Sequence, residues 1–255
     1  MRSMAVRAVI FDWGGTLTPW HSVDLLAMWA AACTPHFPVG QVDSVAEALH
    51  RAESALWRQA TAVHQSATIE HVFARAGVGM PAGFMLGFLD AWAPHTYADP
   101  DAESLLRALR ERGIKVGVLS NTMWPRSAHE DVFARDSLLG LIDGAVYTSE
   151  IPWTKPHPEA FRAAMAAVGE DNPQACVFVG DRPFDDIYGA QRLGMRAVLL
   201  PNSDVPPHDG VVPDAVISRL ADLLLHVESW LRACLGIPIF TLEPGAGRAA
   251  TTVPR

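Results

Sequence analysis

The stretch Ala8-Val-Ile-Phe-Asp12-Trp-Gly-Gly-Thr16-Leu-Thr-Pro19 decides how the chain is read. By length and composition, the apolar run from Ala8 to Phe11 predicts a short buried strand. The run stops at an acid, Asp12. Gly14 and Gly15 then let the backbone leave the strand in a tight loop and approach a ligand closely. A carboxylate at the C-terminal end of a strand sits where open α/β sheets hold their ligands. Taken alone, the pattern also fits an ordinary strand-turn, so its meaning depends on partners further along the chain.

After Pro19 the pattern changes. Helical spacing predicts helices over 23–33, 42–63, 69–77 and 83–93, with Leu25, Leu26 and Trp29 on one stripe and Ala48, Ala52, Ala55 and Leu56 on another. Trp29, Trp57 and Trp92 read as core of this helical segment. Breaks at Pro35, Pro38 and Gly40, and between Gly77 and Pro81, separate the helices. From residue 101 onward helices and strands alternate. Strands are expected over 115–119, 144–148, 175–179, 197–200 and 215–217, and helices over 101–112, 127–139, 158–168, 186–193 and 220–235. Alternation of this kind implies βαβ units and a parallel sheet with helices on both faces. The expected organisation is an α/β core over 1–18 and 96–236, interrupted by an all-helical cap over 19–95 that lies over Asp12. The tail 237–255 has no apolar period and is expected to be disordered.

Composition limits the function. Of 255 residues, 49% are hydrophobic and 19% charged, and the net charge of −8 disfavours nucleic acid or an anionic membrane as partner. Cys33, Cys176 and Cys234 are scattered without zinc spacing, which fits a reducing cytoplasm. No stretch reaches the roughly 18 apolar residues of a membrane span, and the apolar run before Asp12 is too short to be expected to serve as a signal peptide. Lysine is confined to Lys115 and Lys155.

On a parallel sheet the strand ends converge on one edge. Here they carry Asp12, Ser120-Asn121, Lys155, and Asp181 with Asp185-Asp186. The chemistry they suggest is magnesium-assisted phosphoryl transfer. A carboxylate can attack phosphorus, Mg²⁺ takes carboxylate and carbonyl oxygen, and a lysine and a serine hydroxyl offset charge on the transferring group. Closely packed acids also need a cation, because each otherwise raises the others' pKa.

In order and spacing, Asp12-x-Gly-Gly-Thr, Leu119-Ser120-Asn121, Lys155-Pro156 and Gly180-Asp181-Arg-Pro-Phe-Asp185-Asp186 resemble the four motifs of the haloacid dehalogenase superfamily. The resemblance extends to about residue 235. It implies a Rossmann-like core with a small helical cap, and Asp12 as nucleophile. It further implies Ser120, with Asn121, as phosphate ligand and Lys155 as the group holding nucleophile and phosphate. The metal would be held by Asp12, the Gly14 carbonyl, Asp181 and Asp185 or Asp186. A small phosphorylated metabolite is the expected substrate.

One position departs from the family pattern. Most phosphatases of this family carry a second Asp two residues after the nucleophile as general acid and base, and this chain has Gly14. Loss of a positioned acid typically costs about 10²–10⁴-fold. The chain could therefore serve substrates with good leaving groups, such as acyl or aryl phosphates, or use a stand-in such as His21. It could instead bind a phosphorylated ligand or a protein with little turnover. A phosphonatase would need a cap lysine, and residues 13–114 contain none. A 2-haloacid dehalogenase would need a cap arginine, for which Arg51, Arg58 and Arg75 are the candidates. Of the remaining polar residues, Trp20 reads as packing and Arg126 as a solvated loop residue. His129, Glu130 and Asp131 read as a polar helix face, and His157 as structural. Arg182 either neutralises the acids or faces solvent.

Overall fold

Six parallel strands build one sheet in the order β3-β2-β1-β4-β5-β6, and the computed structural model describes residues 5–201 and 206–234. The strands are β1 (Ala8–Phe11), β2 (Lys115–Ser120), β3 (Gly144–Tyr147), β4 (Cys176–Gly180), β5 (Arg196–Leu199) and β6 (Ala215–Val216). β1 lies between β2 and β4, with Phe11 opposite Val118 on one side and Val179 on the other. The winding direction reverses between β1 and β4, so the crevice of a doubly wound sheet opens there. Asp12 directly follows one of these strands and Asp181 the other.

Alternation along β1 sends its side chains to two cores. Val9 and Phe11 pack with Leu105, Leu106 and Leu109 of α5 (Ala102–Glu111) and Leu223 and Val227 of α9 (Leu223–Cys234). Ala8 and Ile10 pack with Ala160, Phe161 and Ala164 of α7 (Pro158–Ala167). Both faces of the strand are buried, which explains why it reads as a continuous apolar run.

Four helices lie between β1 and α5: α1 (Leu25–Cys33), α2 (Val42–Val63), α3 (Ile69–Ala76) and α4 (Phe84–Trp92). Local chemistry fixes their ends. The Asp24 carboxylate caps α1 by accepting from Ala27 N, Thr68 and His71 form a capping box on α3, and Gly77 ends α3 in the left-handed region at φ 69°. The helices share their own core of Trp29, Phe73, Phe84 and Phe88, which Met123 joins from the sheet body. The segment between α2 and α3 docks against the loop that precedes Lys155. Ser66 N donates to Pro152 O at 3.1 Å and Thr154 N to His64 O at 2.9 Å, while Ile69 N, opening α3, donates to Met123 O, just after β2, at 2.9 Å.

Most predicted elements are present with ends moved by one or two residues. The helix expected over 127–139 is α6 (Arg126–Arg135) followed by a separate 3₁₀ turn at Leu139–Leu141. Ser137, in the left-handed region at φ 60°, separates the two. The helix expected over 186–193 is a wide π-helical turn over Pro183–Tyr188 leading into α8 (Gly189–Leu193). Here the Arg182 carbonyl accepts from both Asp186 N and Ile187 N, at 3.0 and 3.3 Å. The 237–255 tail lies outside the described residues. No helix among the described residues is long and apolar enough to cross a membrane.

Candidate active site

Asp12, Ser120, Lys155, Asp181 and Asp186 come from four separate strand ends or loops, and all five are buried. Lys155 is the hub. Its Nζ donates to Asp12 Oδ1 at 2.6 Å and to Asp186 Oδ1 at 2.7 Å, and it lies 5.3 Å from the centroid of the Phe178 ring. Asn121 holds the lysine's main chain from both sides. Lys155 N donates to Asn121 Oδ1 at 2.8 Å, and Asn121 Nδ2 donates to Lys155 O at 3.2 Å. The Asn121 side chain, expected to meet phosphate, is therefore engaged in positioning Lys155. Ser120, at the end of β2, lines the same cavity as Asp12 and Lys155.

Two glycines let the acids come this close. Gly15 has φ +91°, and a Cβ there would overlap the Asp181 carboxyl; a Cβ on Gly180 would overlap the Asp186 carboxyl. Of the two acids that the sequence left open, Asp186 joins the cluster. Its Oδ2 accepts from Arg182 N at 2.9 Å within the π-helical turn. Asp185 is half-buried and faces Arg182 Nη1 at 3.8 Å. Turns of this wide type recur at functional sites. Here the turn decides which acid points inward.

Three carboxylates surround one ammonium, so the charges are unbalanced. Burial raises the Asp12 pKa to about 6 against the pull of Lys155. Burial, reinforced by Asp12 and Asp186, raises that of Asp181 to about 8. Burial also opposes the charge on Lys155, but Asp12 and Asp186 override it and keep the amine protonated. One oxygen from each of Asp12, Asp181 and Asp186 lies within 4.8 Å of the other two. Hard carboxylate donors with excess negative charge suit a divalent cation such as Mg²⁺. Gly14 lines the cavity beside Asp12.

The cavity holds about 430 Å³. The sheet edge supplies its floor and the helical segment its roof, including Glu53, Trp57 and Trp92. Trp57 and Trp92 were expected in the cap core and do pack on it, but they also face the cavity. Trp20, expected to pack, is 42% exposed and lies on the same wall. His21 and His95 line it as well, with ring centroids 5.6 Å apart. Arg182 is the arginine among the lining residues; Arg51, Arg58 and Arg75 are exposed elsewhere.

His129 corrects the expectation of a polar helix face. It is fully buried, stacks on Tyr147 at 4.4 Å, meets the Trp13 edge at 4.5 Å, and places Nε2 3.0 Å from Thr122 Oγ1. Arg126, expected in solvent, pairs with Glu150 at 2.6 Å and lies over Tyr147 at 4.9 Å. His157, expected to be structural, caps α7 and stacks on Trp153 at 4.1 Å. Burial, together with nearby Arg126, lowers the His129 pKa from 6.5 to about 3. An unfolded histidine takes up its proton below pH 6.5, whereas the folded one resists until about 3. Stability that is intact above 6.5 is therefore lost as the pH falls through that window, on the order of 5 kcal/mol in all. Denaturant titrations of the His129→Gln variant, whose amide reaches the Nε2 position, should show a shallower decline between those limits. An unchanged decline would assign the acid limb to other groups.

Comparison with known proteins agrees with this architecture. The haloacid dehalogenase-like hydrolase family matches residues 6–194. A phosphatase of Mycobacterium tuberculosis is 37% identical over 49% of this chain and 55% of its own length. A phosphonoacetaldehyde hydrolase of Pseudomonas fluorescens is 29% identical over 76% of the chain and 72% of its own. The chain spans about half the length of several curated phosphatases that it matches. Among solved structures, a phosphatase from Thermococcus onnurineus superposes with a TM-score of 0.64 at 22% identity, covering 87% of this chain and 98% of that one. With a family match across most of its length, and a doubly wound sheet carrying the four motifs at its edge, the chain belongs to the haloacid dehalogenase-like hydrolases.

Proposed function

We propose that the protein is a Mg²⁺-dependent phosphatase of a small phosphorylated metabolite, with the helical segment 19–95 as its cap and a leaving group that needs little protonation. The observation that carries this reading is Lys155 Nζ held between Asp12 and Asp186 with Asp181 beside them. In this mechanism an Asp12 carboxylate oxygen bonds to phosphorus as the bond from phosphorus to the leaving oxygen breaks. The leaving group departs as its anion. Water then attacks phosphorus, the Asp12–phosphorus bond breaks, and inorganic phosphate is released with the water's proton passing to solvent. Lys155 and Ser120 stabilise charge on the transferring oxygens. Asp12, Asp181 and Asp186 would hold Mg²⁺, with the Gly14 carbonyl as a further donor and Asp185 nearby. The ion would supply charge neutralisation at the phosphoryl group.

Several relatives are named phosphatases, which supports that chemistry. A phosphonatase mechanism needs an amine on the cap, and residues 13–114 contain no lysine. A dehalogenase needs a cap arginine facing the substrate, and Arg51, Arg58 and Arg75 lie off the cavity. The free, scattered cysteines fit action in a reducing cytoplasm. A panel of phosphate esters with Mg²⁺ tests the reading, with Asp12→Asn as control. Turnover that disappears in the variant is the expected result. Turnover that survives it would remove Asp12 as nucleophile, and no turnover on any ester would favour a ligand-binding role.

Metal binding should depend on pH with a definite sign. Asp12 and Asp181 keep protons in the folded chain up to about 6 and about 8, well above the ordinary 3.8. Without metal, their contribution to stability is greatest below 3.8 and falls as the pH rises through those values. A divalent ion displaces the same protons, so it binds more tightly as the pH rises. The gain in Tm on adding Mg²⁺ should be larger at about pH 8 than at about pH 5. An equal gain at both would place the ion away from these acids.

A further inference from the structure

We propose that the cap wall of the cavity recognises a cationic, ammonium-bearing end of the substrate, with Glu53 as its counter-ion and tryptophan faces around it. This names the substrate class of the phosphatase site and rests on that reading for the phosphate end. A cavity of about 430 Å³ accommodates a whole small molecule, so a phosphate group at Asp12 leaves room for the rest of the substrate. Five of the chain's eight tryptophans line it: Trp13, Trp20, Trp57, Trp92 and Trp124.

The cap wall carries an acid, Glu53, and no lysine or arginine. Glu53, Trp57, Ala60 and Thr61 recur at i, i+4, i+7 and i+8 on α2 and line the cavity together. No lysine or arginine shares that face, because Arg51 and Arg58 are exposed on other sides of α2; the basic neighbour of Glu53 is His50, one turn before it. At the sheet edge, Lys155 is committed to Asp12 and Asp186, while Arg182 sits beside Asp185 and 5.9 Å from the Trp20 ring. An anionic tail would meet no lysine or arginine on α2, whereas a cation would find a carboxylate.

Glu53 is also held in place. Trp29, in the cap core, donates its Nε1–H to Glu53 Oε2 at 2.7 Å, which fixes the carboxyl from behind. Burial pushes this carboxyl above its usual range, opposed by the Trp29 and Trp57 indoles and by His50. A cation in the cavity would offset that penalty. Alkylammonium groups bind on aromatic faces, and Trp is the best of them. The competing role is structural, in which Glu53 serves only to accept from Trp29.

A series of phenyl phosphates with para substituents of different charge separates the two. Tyramine phosphate carries an ammonium, its hydroxyethyl analogue is neutral, and its carboxyethyl analogue is an anion; the leaving phenols are alike. The wild-type enzyme should prefer the cation over the neutral ester by about tenfold in kcat/KM, with the anion lowest. In Glu53→Gln, whose amide still accepts from Trp29, the cation-to-neutral ratio should fall to near one. Wild-type rates indifferent to charge, or a ratio unchanged in the variant, would overturn the proposal. Tyramine itself, titrated against tryptophan fluorescence, reads the pocket without catalysis. Its binding should weaken about tenfold in Glu53→Gln, and equal binding to both proteins would overturn the proposal. Hydrolysis of every ester without charge preference would retain the phosphatase and remove the pocket. Tyramine binding through Glu53 with no ester hydrolysed would do the reverse.

Discussion

Replacing Gly14 by Asp is expected to raise turnover of alkyl phosphates by about 10²-fold or more, while aryl phosphates gain less than about tenfold. The difference follows from the leaving groups. An alkoxide must be protonated as it leaves, whereas a phenolate carries its own charge, so a restored acid helps the first far more. The backbone is ready for the change. A Cβ on Gly14 meets nothing within 4 Å, and Gly14 is not among the glycines with positive φ. The new carboxyl would stand near Asp12, whose charge would raise its pKa and favour donation. The measurement is the ratio of alkyl to aryl kcat/KM in both proteins. An unchanged ratio would mean that another group, with His21 and His95 in the cavity as the first suspects, already donates the proton.

Lys155→Met should have the second largest effect, on two separate readouts. The substitution keeps the length of the side chain but leaves Asp12 and Asp186 buried around no cation. Removing one partner of a buried ion pair costs about 3–5 kcal/mol, which denaturant unfolding would read in metal-free buffer. Turnover should fall by about 10²–10³-fold or more, the usual loss when one group that stabilises transition-state charge is removed. Mg²⁺ should return part of the lost stability, because it replaces the missing positive charge, but not the turnover. Near wild-type stability without metal would show that the two acids are protonated rather than ion-paired.

Much of this site was legible in the sequence, because each of its main residues directly follows an apolar strand or a fixed turn. Asp12 after Phe11, Ser120 after Leu119 and Asp181 after Gly180 stand out wherever a buried run ends in a polar residue. Other features depend on contacts between distant segments. His129 lies among charged neighbours, and only the approach of Tyr147 and Trp13 buries it. Asp185 and Asp186 are equivalent by position until the π-helical turn rotates one inward. Asn121 looks like a phosphate ligand in sequence, yet its amide matches the Lys155 main chain 34 residues away. Glu53 reads as one more acid on an amphipathic helix. The signal that could have singled it out was Trp57 four residues later on the same face.

The central claim is that Asp12 takes the phosphoryl group onto its own carboxylate. Acid quenching during turnover of an aryl phosphate with Mg²⁺, followed by borohydride reduction and peptide mass mapping, tests it most directly. Residue 12 should be reduced to homoserine, and this product should be absent when substrate is omitted. Reduction at another acid, or none at any acid while turnover proceeds, would contradict it.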